Sequence, residues 1–247
     1  MKIRNKNAIL ELLKEDVAFD KISVVEGLDQ DEMTKEILSV ASKRGVSIET
    51  KPLSSMARRR TGSTHEVIVG FLSPIHIWKF DELLENLYQS NRTPFFLLIN
   101  KVEFASNVGI IARTAFAAGV TGLIFQGDEH QFLNEDTVHF STGAIARVPL
   151  VKMGVFEAME QLQKNGIPTY ALHMGGVEYS SEDLRGPAAF VLGAEGEGLS
   201  DTVLKRCDKK LSIPMREGID SLNVGTSAAI LLFEKVRQEG GDFLGKQ

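Results

Sequence analysis

The stretch IPMREGIDSLNVGTSAAILLFEKVRQ, Ile213–Gln238, changes character halfway. Its second half carries Ala228, Ala229, Ile230, Leu231, Leu232, Phe233 and Val236. That set is too dense for one exposed face, so it reads as a buried helix. Ahead of the helix crowd Ser221, Asn223, Gly225, Thr226 and Ser227. One hydroxyl or amide is enough to cap a helix by accepting from a free backbone N–H. The surplus points either to a local network that holds the turn or to a ligand bound in it.

The pattern extends on both sides of this stretch. KKLSIPM reads as a strand, SDTVLKRCD as a helix and PAAFVLG as a buried strand. PFFLLIN is a continuous apolar run, the mark of a parallel strand buried on both faces. NVGIIARTAFAAG, EDTVHFSTGAIARVP and GVFEAMEQLQKNG read as helices, VTGLIFQG and PTYALHM as strands. Together they predict an α/β fold with a mostly parallel sheet of five or six strands over residues 94–247. Ligands of such sheets sit beyond the carboxyl ends of the strands.

Residues 1–72 predict a smaller α/β unit. NKNAILELLKED is amphipathic, with Ala8, Ile9, Leu12 and Leu13 on one face, and DEMTKEILSVASKRG closes at Gly45. KISVVEG, VSIETKP and HEVIVGFL read as strands. Residues 73–93, with Pro74, Trp78 and a short helix around Asp81–Tyr88, read as a linker or bridging helix.

The 247-residue chain is 43% hydrophobic and 25% charged, the composition of a globular protein. No apolar run is long enough to span a membrane, and the N-terminus lacks the core of a signal peptide. The single cysteine, Cys207, cannot form an internal disulfide; its basic neighbours could lower its pKa, but the reading preferred here is a tolerated cytosolic thiol. These features predict a cytoplasmic protein. A net charge of −5 does not exclude nucleic acid, because local patches set affinity for phosphates. Arg58, Arg59 and Arg60 form one such patch, either a phosphate-gripping loop or a solvated basic turn.

Three loops at strand ends carry chemistry. In INKVEFASNVGIIARTAFAAG, Asn107 and Gly109 open a helix on which Arg113 sits among small and apolar residues. A charge there is paired, points into a cleft, or snorkels to the surface. In VLGAEGEGLS, Gly193, Gly196 and Gly198 suggest tight turns, and Glu195 and Glu197 would repel phosphates. Neither a dinucleotide fingerprint nor a P-loop is present. A glycine loop bearing carboxylates suits a ligand without phosphate, or a cationic one. The third loop is Pro214–Asn223. The five histidines show no metal-ligand spacing, and no GxSxG elbow appears.

In order, Asn-x-Gly-x-x-x-Arg, Leu-Gly-x-Glu-Gly-x-Gly-Leu, Ile-Pro-Met and Ser-Leu-Asn-Val before an apolar helix closely resemble the SpoU-type RNA 2′-O-ribose methyltransferases of the SPOUT superfamily. The resemblance covers about Pro94–Arg237; residues 1–72 are similar, by pattern alone, to the family's RNA substrate-binding domain. It implies a C-terminal trefoil knot, a homodimer, and S-adenosylmethionine bound within the knot. The matching cofactor positions are Gly193, Ile213 and Leu222, with Leu192, Gly198, Met215 and Asn223 lining the same pocket. The implied catalytic set is Arg113, Asn107, Glu195, Ser221 and Asn223. Asn107 and Glu195 would orient Arg113; Ser221 and Asn223 would shape the pocket. No metal is implied. The substrate implied is RNA, ribosomal RNA ahead of tRNA because of the additional N-terminal unit; a relative that holds RNA or cofactor without efficient catalysis is the alternative. The chain departs from the family in EFASN, which lacks an Asp-Pro, in HEVIVG, and in Gly225, where the family usually has Ser.

Overall fold

A computed structural model describes residues 1–26, 31–52, 67–219 and 221–240. The arginines Arg58, Arg59 and Arg60 lie outside the described residues.

The N-terminal part is a four-stranded sheet in the order β1 (Lys2–Ile3), β4 (Ile68–Leu72), β2 (Phe19–Val25), β3 (Ser47–Lys51). Strand β4 is antiparallel to both β1 and β2, while β2 and β3 run parallel. Helices α1 (Lys6–Lys14) and α2 (Glu32–Lys43) bury Ile9, Leu12, Leu13, Ile37 and Ala41. Each starts at a side-chain cap: Asn5 Oδ1 accepts from the Ala8 N–H at 3.2 Å, and Asp31 Oδ1 from the Thr34 N–H at 2.8 Å. Gly45, at φ +70°, lets the chain turn away after α2.

Residues 73–93 hold β5 (Ile77–Trp78) and α3 (Phe80–Gln89), the helix expected there. Both belong to the larger layer. Strand β5 pairs with β8 (Leu150–Lys152), and α3 buries Phe80, Leu83, Leu84 and Leu87.

The larger sheet has seven strands, all parallel, in the order β11 (Lys209–Ser212), β9 (Thr169–Glu178), β10 (Ala188–Leu192), β6 (Phe95–Ile99), β7 (Gly122–Phe125), β8, β5. Two more strands than the lower expectation appear because β5 and β8 are too short to show a period. Strand β6 shows why its sequence is apolar throughout. Phe95, Leu97 and Ile99 enter one core and Phe96 and Leu98 the other. Helices α4 (Ala105–Ala117) and α9 (Val224–Gln238) cover the first face; α3, α7 (Val155–Lys164) and α8 (Asp201–Arg206) cover the second. Between β7 and β8 lie α5 (Glu129–Phe132) and α6 (Glu135–Ser141).

The small unit is packed on this layer. Its Ile9, Leu12 and Ile22 share a core with Phe95, Ile111 and Leu231. A Cβ on Gly143 would lie 2.8 Å from Leu12 Cγ, so α1 presses on the turn after α6. Ion pairs Arg4–Glu135 and Arg147–Glu15 flank that contact.

Candidate functional site

Three loops leave the carboxyl ends of β6, β10 and β11, and two hydrogen bonds tie them together. Just past β6, the Asn100 N–H donates to the Leu192 carbonyl at the end of β10, at 2.9 Å. Farther along, Asn223 Nδ2 donates to Asn107 Oδ1 at 2.9 Å, joining positions 116 residues apart.

Asn223 answers why polar residues crowd before the last helix. Its Oδ1 caps α9, accepting from the N–H groups of Gly225 at 2.9 Å and Thr226 at 3.3 Å. With the oxygen so engaged, the amide must turn its NH₂ outward, and Asn107 must meet it with oxygen. Asn107 is buried in the first turn of α4. Ser221 is exposed beside this network.

Gly225 has a packing role. A Cβ there would lie 2.7 Å from Ile110 Cγ2, so the glycine lets the start of α9 close on α4. Gly109 does the same on the other side of α4, where a Cβ would meet Phe140 Cβ at 2.5 Å and the Ser141 N at 2.9 Å. Helices α4, α6 and α9 are therefore in close contact, and Arg113 rises from α4 beside them.

Arg113 is exposed, and Nη1 donates to Thr142 Oγ1 at 3.4 Å. Thr142 ends α6 in the left-handed region, at φ +51°. Among the described residues Arg113 bonds to neither Asn107 nor Glu195. Asn107 is taken by Asn223, and the exposed Glu195 has no ion-pair partner among the described residues. The other guanidinium donors make no hydrogen bond or ion pair with a described residue. Thr142 was not anticipated; its signal is the Ser-Thr-Gly turn closing α6.

The glycine loop folds on itself. The Ala194 N–H donates to the Gly198 carbonyl at 3.1 Å and the Gly198 N–H to the Ala194 carbonyl at 2.9 Å. A Cβ on Gly193 would meet Gly198 backbone at 2.3 Å, so only glycine fits. Gly196 and Gly198 have φ of +81° and +68°, as the turns require. Leu192 is buried at the strand end, Ile213 and Met215 are half-buried after β11, and Leu222 is exposed. In the glycine loop itself the carboxylate-bearing Glu195 and Glu197 are exposed. No cluster of three or more His, Cys, Asp or Glu side chains able to hold a metal occurs among the described residues.

Of the two readings of Cys207, the structure favours the unreactive thiol. Burial pushes its thiol up to about 11, with Asp208 adding to the rise and Lys210 opposing it. The basic neighbours in sequence do not activate it. The last helix is also less buried than its composition suggests. Ala228, Leu231, Leu232 and Val236 are inside, but Phe233 is 44% exposed.

The family model of the SpoU rRNA methylase family matches residues 94–233. Two relatives, each a 23S rRNA (guanosine-2′-O-)-methyltransferase RlmB, come from Xylella fastidiosa and Xanthomonas campestris. The first is 28% identical, over 94% of this chain and 94% of the relative; the second is 29% identical, over 95% of each. The solved SpoU methyltransferase AviRb from Streptomyces viridochromogenes, in complex with the cofactor AdoMet, superposes with a TM-score of 0.77 at 21% identity, covering 98% of this chain and 91% of that one. An RNA 2′-O ribose methyltransferase structure superposes with a TM-score of 0.77 at 20% identity, covering 97% and 88%.

Proposed function

The chain belongs to the SpoU rRNA methylase family, and on that premise we propose that it methylates a ribose 2′-hydroxyl of ribosomal RNA with S-adenosylmethionine as donor. The observation that carries this reading is the Asn107–Asn223 hydrogen bond, which unites the first and third signature loops beside Arg113. The names of the two RlmB relatives, which match along nearly their whole length, support ribosomal RNA as the substrate.

The residues present fit the cofactor. S-adenosylmethionine carries no phosphate and has a cationic sulfonium. The self-closed loop at Gly193–Leu199 offers backbone groups, and its rim offers carboxylates instead of phosphate-binding cations. Leu192, Gly193, Gly198, Ile213, Met215, Leu222 and Asn223 would hold it, within a C-terminal segment knotted as in the family. When bound, it supplies an activated methyl group.

The protein has three tasks: to align the ribose oxygen, make it nucleophilic and exclude water. A guanidinium is always protonated, so Arg113 does not serve as base. In this reading it grips a phosphate of the target and stabilises negative charge growing on O2′. Its exposed donors, held in place by Thr142, suit that role. The target's own phosphate then helps accept the proton. In this reading Asn107 and Asn223 position the loop around the reacting oxygen, and Ser221 and Glu195 are assigned to shaping its edge. The basic patch Arg58–Arg60 is assigned to RNA binding.

The active form in this reading is a homodimer in the cytoplasm. Ile110 on α4, Phe140 on α6 and Phe233 on α9 are exposed apolar side chains available for contact with a second copy.

The test is calorimetric titration of S-adenosylmethionine, followed by labelled transfer to ribosomal RNA from cells lacking the gene. Label in an alkali-resistant dinucleotide supports the reading. Absence of cofactor binding would sink it, and transfer to tRNA alone would move the substrate.

A further inference from the structure

We infer that the pocket beyond the carboxyl ends of β6 and β7 receives a guanine base of the RNA, an inference that rests on the function proposed above. The pocket has a volume of about 370 Å³. That is the small end of the range for ligand sites, roughly 300–1,000 Å³. It shares the reacting loop: Val108 in its wall follows Asn107, and Ile99 precedes Asn100, which bonds to Leu192. A nucleotide whose ribose lies beside Asn107 can place its base here.

The lining divides into walls and free groups. Val102, Val108 and Phe132 are apolar and buried. Gln126 is already locked, donating to Asn100 Oδ1 at 2.7 Å and accepting from the Val155 N–H at 3.3 Å. Asp128 Oδ1 accepts from the His130 N–H at 2.7 Å. The unengaged polar side chains are Lys101, Glu103 and Gln131, all exposed and without a hydrogen bond or ion pair to any described residue. Lys101 stands at φ +59°, a conformation that non-glycine residues adopt rarely and that recurs at binding sites.

This set favours one base. A carboxylate is an acceptor with two oxygens and binds best to two neighbouring donors. Only guanine offers them, N1–H beside N2–H₂, with the O6 acceptor next in line for a lysine. Adenine and cytosine present an acceptor where the second donor is needed. Uracil presents a single N–H between carbonyls. Single-stranded or flipped-out bases are the form in which RNA is read this way.

The test has two arms on the full-length protein. In the first, guanosine, adenosine, cytidine and uridine 5′-monophosphates are titrated in turn and followed by NMR. Guanosine monophosphate is expected to shift amides at 99–103 and 126–132, the other three not, and Glu103→Gln to abolish the preference. In the second, methyl transfer to an unmodified 23S rRNA transcript is measured. Glu103→Gln and Gln131→Ala are expected to raise KM for RNA about tenfold with kcat little changed and cofactor affinity intact. Equal response to all four nucleotides overturns the inference. So does guanosine monophosphate binding without any change in KM for RNA, which would make the pocket a site for free nucleotide. A wild-type protein that neither binds cofactor nor transfers methyl defeats the functional reading instead, and the nucleotide titration still decides the pocket.

Discussion

Gly225 and Ile110 meet across the α4–α9 contact so closely that a Cβ on the glycine would lie 2.7 Å from Ile110 Cγ2. The family's usual serine at this position would therefore collide with the Ile110 side chain. Ile110 is 42% exposed and has room to turn, so the overpacking cost should be modest. Gly225→Ser is expected to lose about 1 kcal/mol. In an Ile110→Ala background the same change should cost at least about 0.5 kcal/mol less, because neighbours couple. Urea denaturation of the four-member cycle measures this; strict additivity would mean that the contact does not explain the glycine.

Asn223 serves two partners at once, and its substitutions should separate them. Asn223→Ala removes the cap of α9, about 1 kcal/mol, and strands buried Asn107, about 1–3 kcal/mol more. Asn223→Asp keeps an acceptor for the cap but turns an acceptor toward Asn107 Oδ1. It is expected to fall between wild type and alanine in stability. Equal stabilities for the two variants would show that only one of the contacts matters.

Much of this arrangement is legible in the sequence because the three motif loops follow recognisable strands in order. The run Phe95–Ile99 announces a strand buried on both faces, and that is what alternate residues entering two cores require. What sequence conceals is distance and depth. Nothing local pairs Asn107 with Asn223, and Asn107 reads as readily as a partner of Arg113 on its own helix. Cys207 shows the same limit: its basic neighbours are visible, but the burial that outweighs them is not. Strands β5 and β8 escape because two or three residues cannot establish a period.

Arg113 tests the chemistry. If it stabilises charge on O2′, Arg113→Ala should reduce kcat by about 10²–10³-fold while leaving S-adenosylmethionine affinity unchanged. Arg113→Lys should recover little, since an ammonium lacks the planar fork that can hold Thr142 and a phosphate together. Single-turnover methyl transfer and calorimetry supply both readouts. Near-full turnover by the alanine variant would falsify the assignment.

Cys207 should be inert. With its thiol raised to about 11, the thiolate fraction at pH 8 is on the order of one in a thousand. Thiol-disulfide reagents are expected to label the native protein far more slowly than the urea-unfolded chain. Comparable rates at pH 8 would mean that the thiol is not held in its buried setting.

The C-terminal helix should loosen in acid through Glu239. Lys235 is buried, and its Nζ donates to the Leu184 and Gly186 carbonyls at 2.8 and 2.6 Å and to Glu239 Oε1 at 2.9 Å. Burial alone would raise the Glu239 carboxyl, but Lys235 and the Gly186 N–H together hold it below its ordinary 4.5. A carboxylate with a depressed folded-state pKa stabilises the fold fully above its unfolded value. That stability is lost as pH falls through the folded one. The window therefore lies below about 4.5. Glu239→Gln keeps an acceptor for Lys235 but cannot titrate. Its urea midpoint should be lower than wild type at pH 7 and converge with it toward pH 3. Lys235→Met, which strands two carbonyls and the carboxylate, should cost about 3 kcal/mol or more at neutral pH. Parallel acid profiles for wild type and Glu239→Gln would show that this end of α9 is held by packing alone.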